Sequence, residues 1–99
     1  VSAGVVYFGS ADTHLYAVDI NTGKELWNFE TGSLVQSPPV ISDDMLYFGS
    51  NDGNLYAVDI KTGQELWRFR TGGEVSSSSV VVDGVIYFGS WDGALYAVR

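Results

Sequence analysis

Tyr7-Phe8-Gly9-Ser10 returns as Tyr47-Phe48-Gly49-Ser50 and again as Tyr87-Phe88-Gly89-Ser90, each time 40 residues further along a chain of 99. A strict period of that size marks an array of one supersecondary unit rather than an irregular globule. Aligned without a gap, residues 5–44 and 45–84 share 23 of 40 positions, so the two stretches must fold alike. The chain holds about two and a half copies of the unit, which predicts one domain, 1–99, in three pieces at 1–34, 35–74 and 75–99.

Within a unit the apolar residues come in short clusters rich in Val, Ile, Tyr, Phe and Trp, bounded by turn residues and without a helical period. The prediction is all-β. In the central copy the strands fall at Val35–Ser42, Met45–Ser50, Asn54–Ile60 and Glu65–Thr71. The flanking copies give Val5–Ser10, His14–Ile20 and Glu25–Thr31 before it, and Val75–Val82, Val85–Ser90 and Ala94–Arg99 after it. Connections of hairpin size make neighbouring strands antiparallel.

The strands of one unit differ in ways that place them. The first is built of small residues, Val35-Gln36-Ser37-Pro38-Pro39-Val40 and Val75 followed by the run Ser76–Ser79, as expected where strands crowd around a common axis. Pro38 and Pro39 lack N–H donors and confine that strand to a sheet edge. The middle strands, such as Leu46-Tyr47-Phe48 and Leu55-Tyr56-Ala57-Val58, are apolar on both faces and must be sandwiched. The fourth alternates, Trp67 and Phe69 on one side and Arg68 and Arg70 on the other, as an outer, half-exposed strand does. Four-stranded antiparallel sheets stacked face to face in series are the blades of a β-propeller.

Each complete copy carries a string joining its third and fourth strands, Ala17-Val18-Asp19-Ile20-Asn21-Thr22-Gly23-Lys24-Glu25-Leu26-Trp27 and Ala57-Val58-Asp59-Ile60-Lys61-Thr62-Gly63-Gln64-Glu65-Leu66-Trp67. Asp can accept hydrogen bonds from the turn that follows it, Gly supplies a positive φ, and Trp offers a flat face to the neighbouring sheet. The pattern A-x-D-x-x-T-G-x-x-x-W resembles the tryptophan-docking motif of the pyrroloquinoline quinone (PQQ)-like repeat family, with Ala17, Asp19, Thr22, Gly23 and Trp27 matching, then Ala57, Asp59, Thr62, Gly63 and Trp67. The resemblance covers essentially the whole chain. It implies propellers of seven or eight blades, in which each indole packs between blades, and a periplasmic or otherwise extracytoplasmic location. Family members include quinoprotein alcohol dehydrogenases, an outer-membrane assembly lipoprotein that acts as a scaffold, and extracytoplasmic sensor domains of kinases. The repeat marks the fold and leaves the chemistry open.

Composition narrows the partners. A net charge of −7 repels phosphate backbones and anionic lipid, which argues against nucleic acid. No apolar run reaches the 18 residues of a helical span, so direct membrane insertion is not expected, and any export signal would lie upstream of Val1. The absence of cysteine excludes the vicinal disulfide that the resemblance implies for quinoprotein dehydrogenases. No local string suggests their calcium ligands or catalytic Asp either.

The remaining candidates read as structural. Asp12, Asp52 and Asp92 recur at hairpin tips, where Asp-Gly turns explain them better than calcium, which needs six or more oxygens. Thr13 replaces the expected Gly, so that turn should differ or be strained. His14 has no partner in the sequence and reads as a surface residue, and the serine run lacks a nucleophile elbow. Trp91, at a turn tip where Ala11 and Asn51 stand in the other copies, is the candidate for contact with another chain or ligand. No catalytic, cofactor-binding or metal-binding residue is assigned.

A chain that starts at the second strand of one blade and stops at the third strand of another is not expected to close a propeller alone. It belongs to a larger propeller or assembles with further copies of itself. The expected function is a non-catalytic module for protein or ligand binding and scaffolding. The alternatives are a fragment of a PQQ-dependent dehydrogenase, with PQQ and calcium held only if other repeats supply the site, or the sensor domain of a kinase.

Overall fold

The computed structural model describes residues 4–36, 38–75 and 79–99. Ten strands follow one another: β1 (Val5–Gly9), β2 (His14–Asp19), β3 (Glu25–Glu30), β4 (Val40–Ser42), β5 (Met45–Gly49), β6 (Asn54–Asp59), β7 (Glu65–Arg70), β8 (Val80–Val82), β9 (Val85–Gly89) and β10 (Leu95–Val98). They form three antiparallel meanders, β1-β2-β3, β4-β5-β6-β7 and β8-β9-β10, one per repeat. These are blades 1, 2 and 3.

The predicted first strands are the elements the structure shortens most; the others end within one residue of expectation at each end. Instead of 35–42 and 75–82, only Val40–Ser42 and Val80–Val82 pair. Ser37 and Ser76–Ser78, which the prediction placed in these strands, lie outside the described residues. The backbone before β4 is engaged elsewhere: Val35 N–H donates to Ser10 O (3.4 Å) and Val75 N–H to Ser50 O (3.1 Å), both on the preceding blade. Pro38 and Pro39, with no N–H to give, precede the edge strand rather than sit in it. β4 and β8 touch one another, so the first strands of neighbouring blades converge.

The sheets stack as the two-sided apolar pattern requires. Leu46, Phe48, Tyr56 and Val58 of blade 2 face blade 1, packing with Leu15, Tyr7, Trp27 and Phe29. Tyr47, Leu55 and Ala57 face the other way, onto Val75, Ile86 and Phe88. Both faces of β5 and β6 are therefore buried, and each large side chain taken from water contributes about 1.5–3 kcal/mol. Phe29 meets Phe48 and Tyr56 edge-on at 5.7 and 5.3 Å, and Phe69 meets Phe88 and Tyr96 at 6.2 and 5.5 Å. β7 alternates as expected, Trp67 and Phe69 half-buried against exposed Arg68 and Arg70. The radius of gyration, 12.7 Å, matches about 13 Å for a packed domain of this size, so the blades are stacked and not strung out.

Candidate functional site

The residues repeated in every copy meet where one blade joins the next. At one end of the blade lies the docking motif. Asp19 Oδ1 accepts from Asn21 N–H (2.8 Å) and Thr22 N–H (3.3 Å), and Thr22 Oγ1 accepts from Lys24 N–H (3.2 Å). Asp59 and Thr62 repeat the arrangement on Lys61, Thr62 and Gln64. Gly23 and Gly63 close these turns at φ +74°, and their N–H groups donate to Asp19 O and Asp59 O (2.8 Å each). The register shifts between Ala17 and Val18, and between Ala57 and Val58, a bulge that sets Trp27 opposite Ala17 and Trp67 opposite Ala57.

That bulge aims the indole at the next blade. Trp27 Nε1 donates to Ile60 O (3.1 Å), satisfying the one polar group of a ring that otherwise packs on Tyr7 and the apolar core. Its ring lies so close to Gly63 that a Cβ there would collide with it. Gly63 thus serves twice, in its own turn and as the floor on which the preceding blade docks. Trp67 lies tilted against Tyr47 at 5.9 Å, as Trp27 does against Tyr7.

A polar joint holds the opposite end. Asp52 Oδ1 accepts from Asn54 N–H (2.9 Å), as an Asp at a turn should. Its Oδ2 accepts from Gly32 N–H (2.9 Å), in the connector leaving blade 1, and from the Tyr56 hydroxyl. Asp92 repeats this with Ala94, Gly72 (3.0 Å) and Tyr96. Beside them Thr31 Oγ1 lies 3.0 Å from Ser50 Oγ, and Thr71 Oγ1 lies 2.9 Å from Ser90 Oγ, all four tied to backbone carbonyls or to each other across the joint. Gly49 lets Val75 of the following connector press onto the sheet where a Cβ would not fit, and Gly9 does the same for Val35. Burial pushes the Asp52 carboxyl up, but the hydrogen bonds from Tyr56, Gly32 and Asn54 outweigh it and hold the group below the usual carboxylate range. Burial, reinforced by the bond to Asp52, pushes the Tyr56 hydroxyl up to about 12.

Asp52 and Asp92 are therefore turn residues, as expected, and also interblade latches, which the sequence reading missed. The signal was available: Thr31-Gly32 and Thr71-Gly72 each precede an Asp by a constant offset, in both copies. Asp12 makes the local bonds to His14 N–H (3.1 Å) and the Tyr16 hydroxyl. Thr13 sits at φ +79°, the strained turn anticipated where Gly53 and Gly93 stand in the other blades.

The residues that break the repeat do not gather. Half-buried His14 stacks on Tyr16 at 5.8 Å, with Nδ1 3.0 Å from Asp12 O, within blade 1. Trp91 is 77% exposed on blade 3, its N–H donating to Glu74 O (2.9 Å) as Asn51 N–H does to Leu34 O. Pro38 and Pro39 lie at the start of blade 2. Among the described residues no three His, Cys, Asp or Glu side chains come together to hold a metal ion. The Trp27 ring lies against Gly63, and the Asp19 and Asp52 carboxylates are each bonded to their own turn.

A cleft of about 360 Å³ opens beside Trp27 between blades 1 and 2, and one of about 330 Å³ lies between the Asn51–Gly53 turn of blade 2 and the connector Arg70–Glu74 that leaves the same blade. The first is a seam of the docking joint already described.

Comparison with known proteins gives these joints a lineage. The quinoprotein ethanol dehydrogenase of Pseudomonas aeruginosa is 44% identical over 39 residues, 39% of this chain and 6% of the enzyme. The 1-butanol dehydrogenase (quinone) of Thauera butanivorans is 51% identical over 39 residues, again 39% and 6%. These matches are one repeat long, a small part of the curated relatives' length. The structure of BamB from Moraxella catarrhalis is similar with a TM-score of 0.88 at 27% identity, over 98% of this chain and 31% of that one. The computationally designed Ika4 protein is similar at 0.85 and 25% identity, over 98% and 61%. The family model of the outer membrane protein assembly factor BamB matches residues 1–99, and a match from the first residue to the last takes in every repeat: the chain belongs to the PQQ-like repeat family of β-propeller proteins.

Proposed function

We propose that this chain is a non-catalytic β-propeller segment that binds proteins, part of a larger propeller or of an assembly, working outside the cytoplasm. One observation carries the reading. The recurring pairs Asp19 and Asp59, Thr31 and Thr71, and Asp52 and Asp92 each have a bonding role within a turn or across a joint. An active site would break the repeat, and the residues that do break it stand on three different blades. The family's outer-membrane assembly member supports both a binding role and an extracytoplasmic location. The matches to quinone-dependent dehydrogenases support the shared repeat more than the shared reaction, since each covers one repeat length.

The test is calorimetric titration of the purified chain with PQQ and calcium, alongside a dye-linked alcohol oxidation assay. The expected result is neither saturable binding heat nor turnover. Calcium-dependent quinone binding at a defined stoichiometry would contradict the proposal.

A further inference from the structure

We propose that the cleft between blades 1 and 2 is a docking site for an arginine side chain of a partner protein, held between the Trp27 and Tyr7 rings and the carboxylates of Asp43 and Asp44. The inference rests on reading the chain as a protein-binding module.

The cleft, about 360 Å³, has two chemically different walls. Blade 1 supplies Tyr7, Leu26 and Trp27, the two rings 5.9 Å apart and tilted by 40°. Blade 2 supplies Asp43 and Asp44 from the tip between β4 and β5, and Lys61 from the turn after β6. These are the facing sides of two stacked blades, not the outer side of an end blade. Bonds tie the walls together: Ile60 N–H donates to Asp44 O (3.1 Å), and Ile60 O accepts from Trp27 Nε1 (3.1 Å). A cleft held in this way is formed before anything enters it, which lowers the entropy cost of binding.

Charge names the occupant. Two carboxylates against one ammonium leave the rim net negative, on a chain of net charge −7. Asp43, Asp44 and Lys61 are exposed, and among the described residues none of them joins an ion pair. Asp44 stands where Gly4 and Gly84 stand in the other two hairpins, so the turn does not need its carboxylate. The chain shows elsewhere what an aromatic face beside a carboxylate holds. The Arg68 guanidinium lies 5.1 Å from the centre of the Tyr56 ring and donates to Glu65 at 2.6 and 2.9 Å. The cleft has the same two partners, rings on one wall and carboxylates on the other. Arginine suits them better than lysine, because a planar guanidinium stacks on a ring while it bonds a carboxylate in two places.

The experiment is a proton–nitrogen NMR titration of the 99-residue chain with the blocked peptide acetyl-Gly-Gly-Arg-Gly-Gly-amide, read at the Trp27 indole N–H and the Asp44 and Lys61 amides. Saturable shifts are expected at these signals, with a Kd on the order of 1 mM, the scale of a single side chain. Replacing the peptide's arginine by citrulline, its neutral isostere, should weaken binding about threefold to tenfold. Asp44→Gly, which puts the residue of the other hairpins in place, should weaken it by a similar factor while amide signals far from the cleft stay where they are. Asp43→Asn, which keeps a side chain tolerant of the φ of +55° found there, serves as the second variant with the same expectation. Lys61→Ala should tighten binding. No saturable shift, shifts confined to other parts of the chain, citrulline binding as well as arginine, or binding indifferent to both aspartate variants overturns the proposal. Shifts of the same signals on raising the chain concentration alone would give the cleft to a second copy, and free arginine binding more tightly than the peptide would give it to a small molecule. Either result overturns the choice of occupant. The quinone titration decides the broader reading independently of all these outcomes.

Discussion

Gly23 and Gly63 hold the same turn at the same backbone angle, yet only Gly63 has another residue pressed on it, the Trp27 ring; nothing lies within 4 Å of a Cβ at Gly23. Sequence reasoning could see the turn, because Asn-Thr-Gly and Lys-Thr-Gly announce it locally. It could not see the ring, which arrives from another blade. The pair separates backbone cost from docking cost. Gly23→Ala is expected to cost about 1–2 kcal/mol for the left-handed conformation alone. Gly63→Ala should cost that plus about 1–3 kcal/mol for the collision. Urea melts of the two variants check this, and equal losses would contradict the docking geometry.

At the level of strands and hairpins, periodicity located all ten elements because each buries a defined face. It failed at β4 and β8, where the backbone bonds of Val35 and Val75 go to the preceding blade and leave the sheet only three residues. It also placed Asp52 in its turn but not on Gly32, since that bond forms only once the blades are stacked.

The Asp52 latch carries a pH signature. Asp52 has a lowered folded pKa, so its contribution to stability is present above the unfolded carboxylate value of about 4 and is lost as pH falls through the folded value. Tyr56 is raised to about 12, so its contribution is present below the unfolded value of about 10 and is lost as pH rises from there. The melting temperature should be level from about pH 5 to 9 and fall on both sides. Asp52→Asn is expected to cost about 1.5–3 kcal/mol at neutral pH, the range for hydrogen bonds to a charged group. It should also shrink the acid limb of the melting profile, which Asp12, Asp92 and Glu65, also lowered by their hydrogen bonds, keep from vanishing. An acid limb unchanged in this variant would contradict the latch.

At the scale of the three blades together, the middle blade packs on both faces, against blade 1 on one side and blade 3 on the other. Tyr-Phe-Gly-Ser, the string that revealed the period, turns out to be a list of joint parts: Tyr47 and Phe48 face opposite neighbours, Gly49 admits Val75, and Ser50 bonds to Thr31. The claim that recurrent residues are interblade joints is tested most directly by native-state amide hydrogen exchange. β5 and β6 should be the most protected strands, exchanging only with global unfolding. The Gly32 and Gly72 amides should be protected too, although both residues are exposed, because Asp52 and Asp92 accept from them. Protection of β5 and β6 no greater than that of β1 and β10, or free exchange at Gly32 and Gly72, would contradict the account.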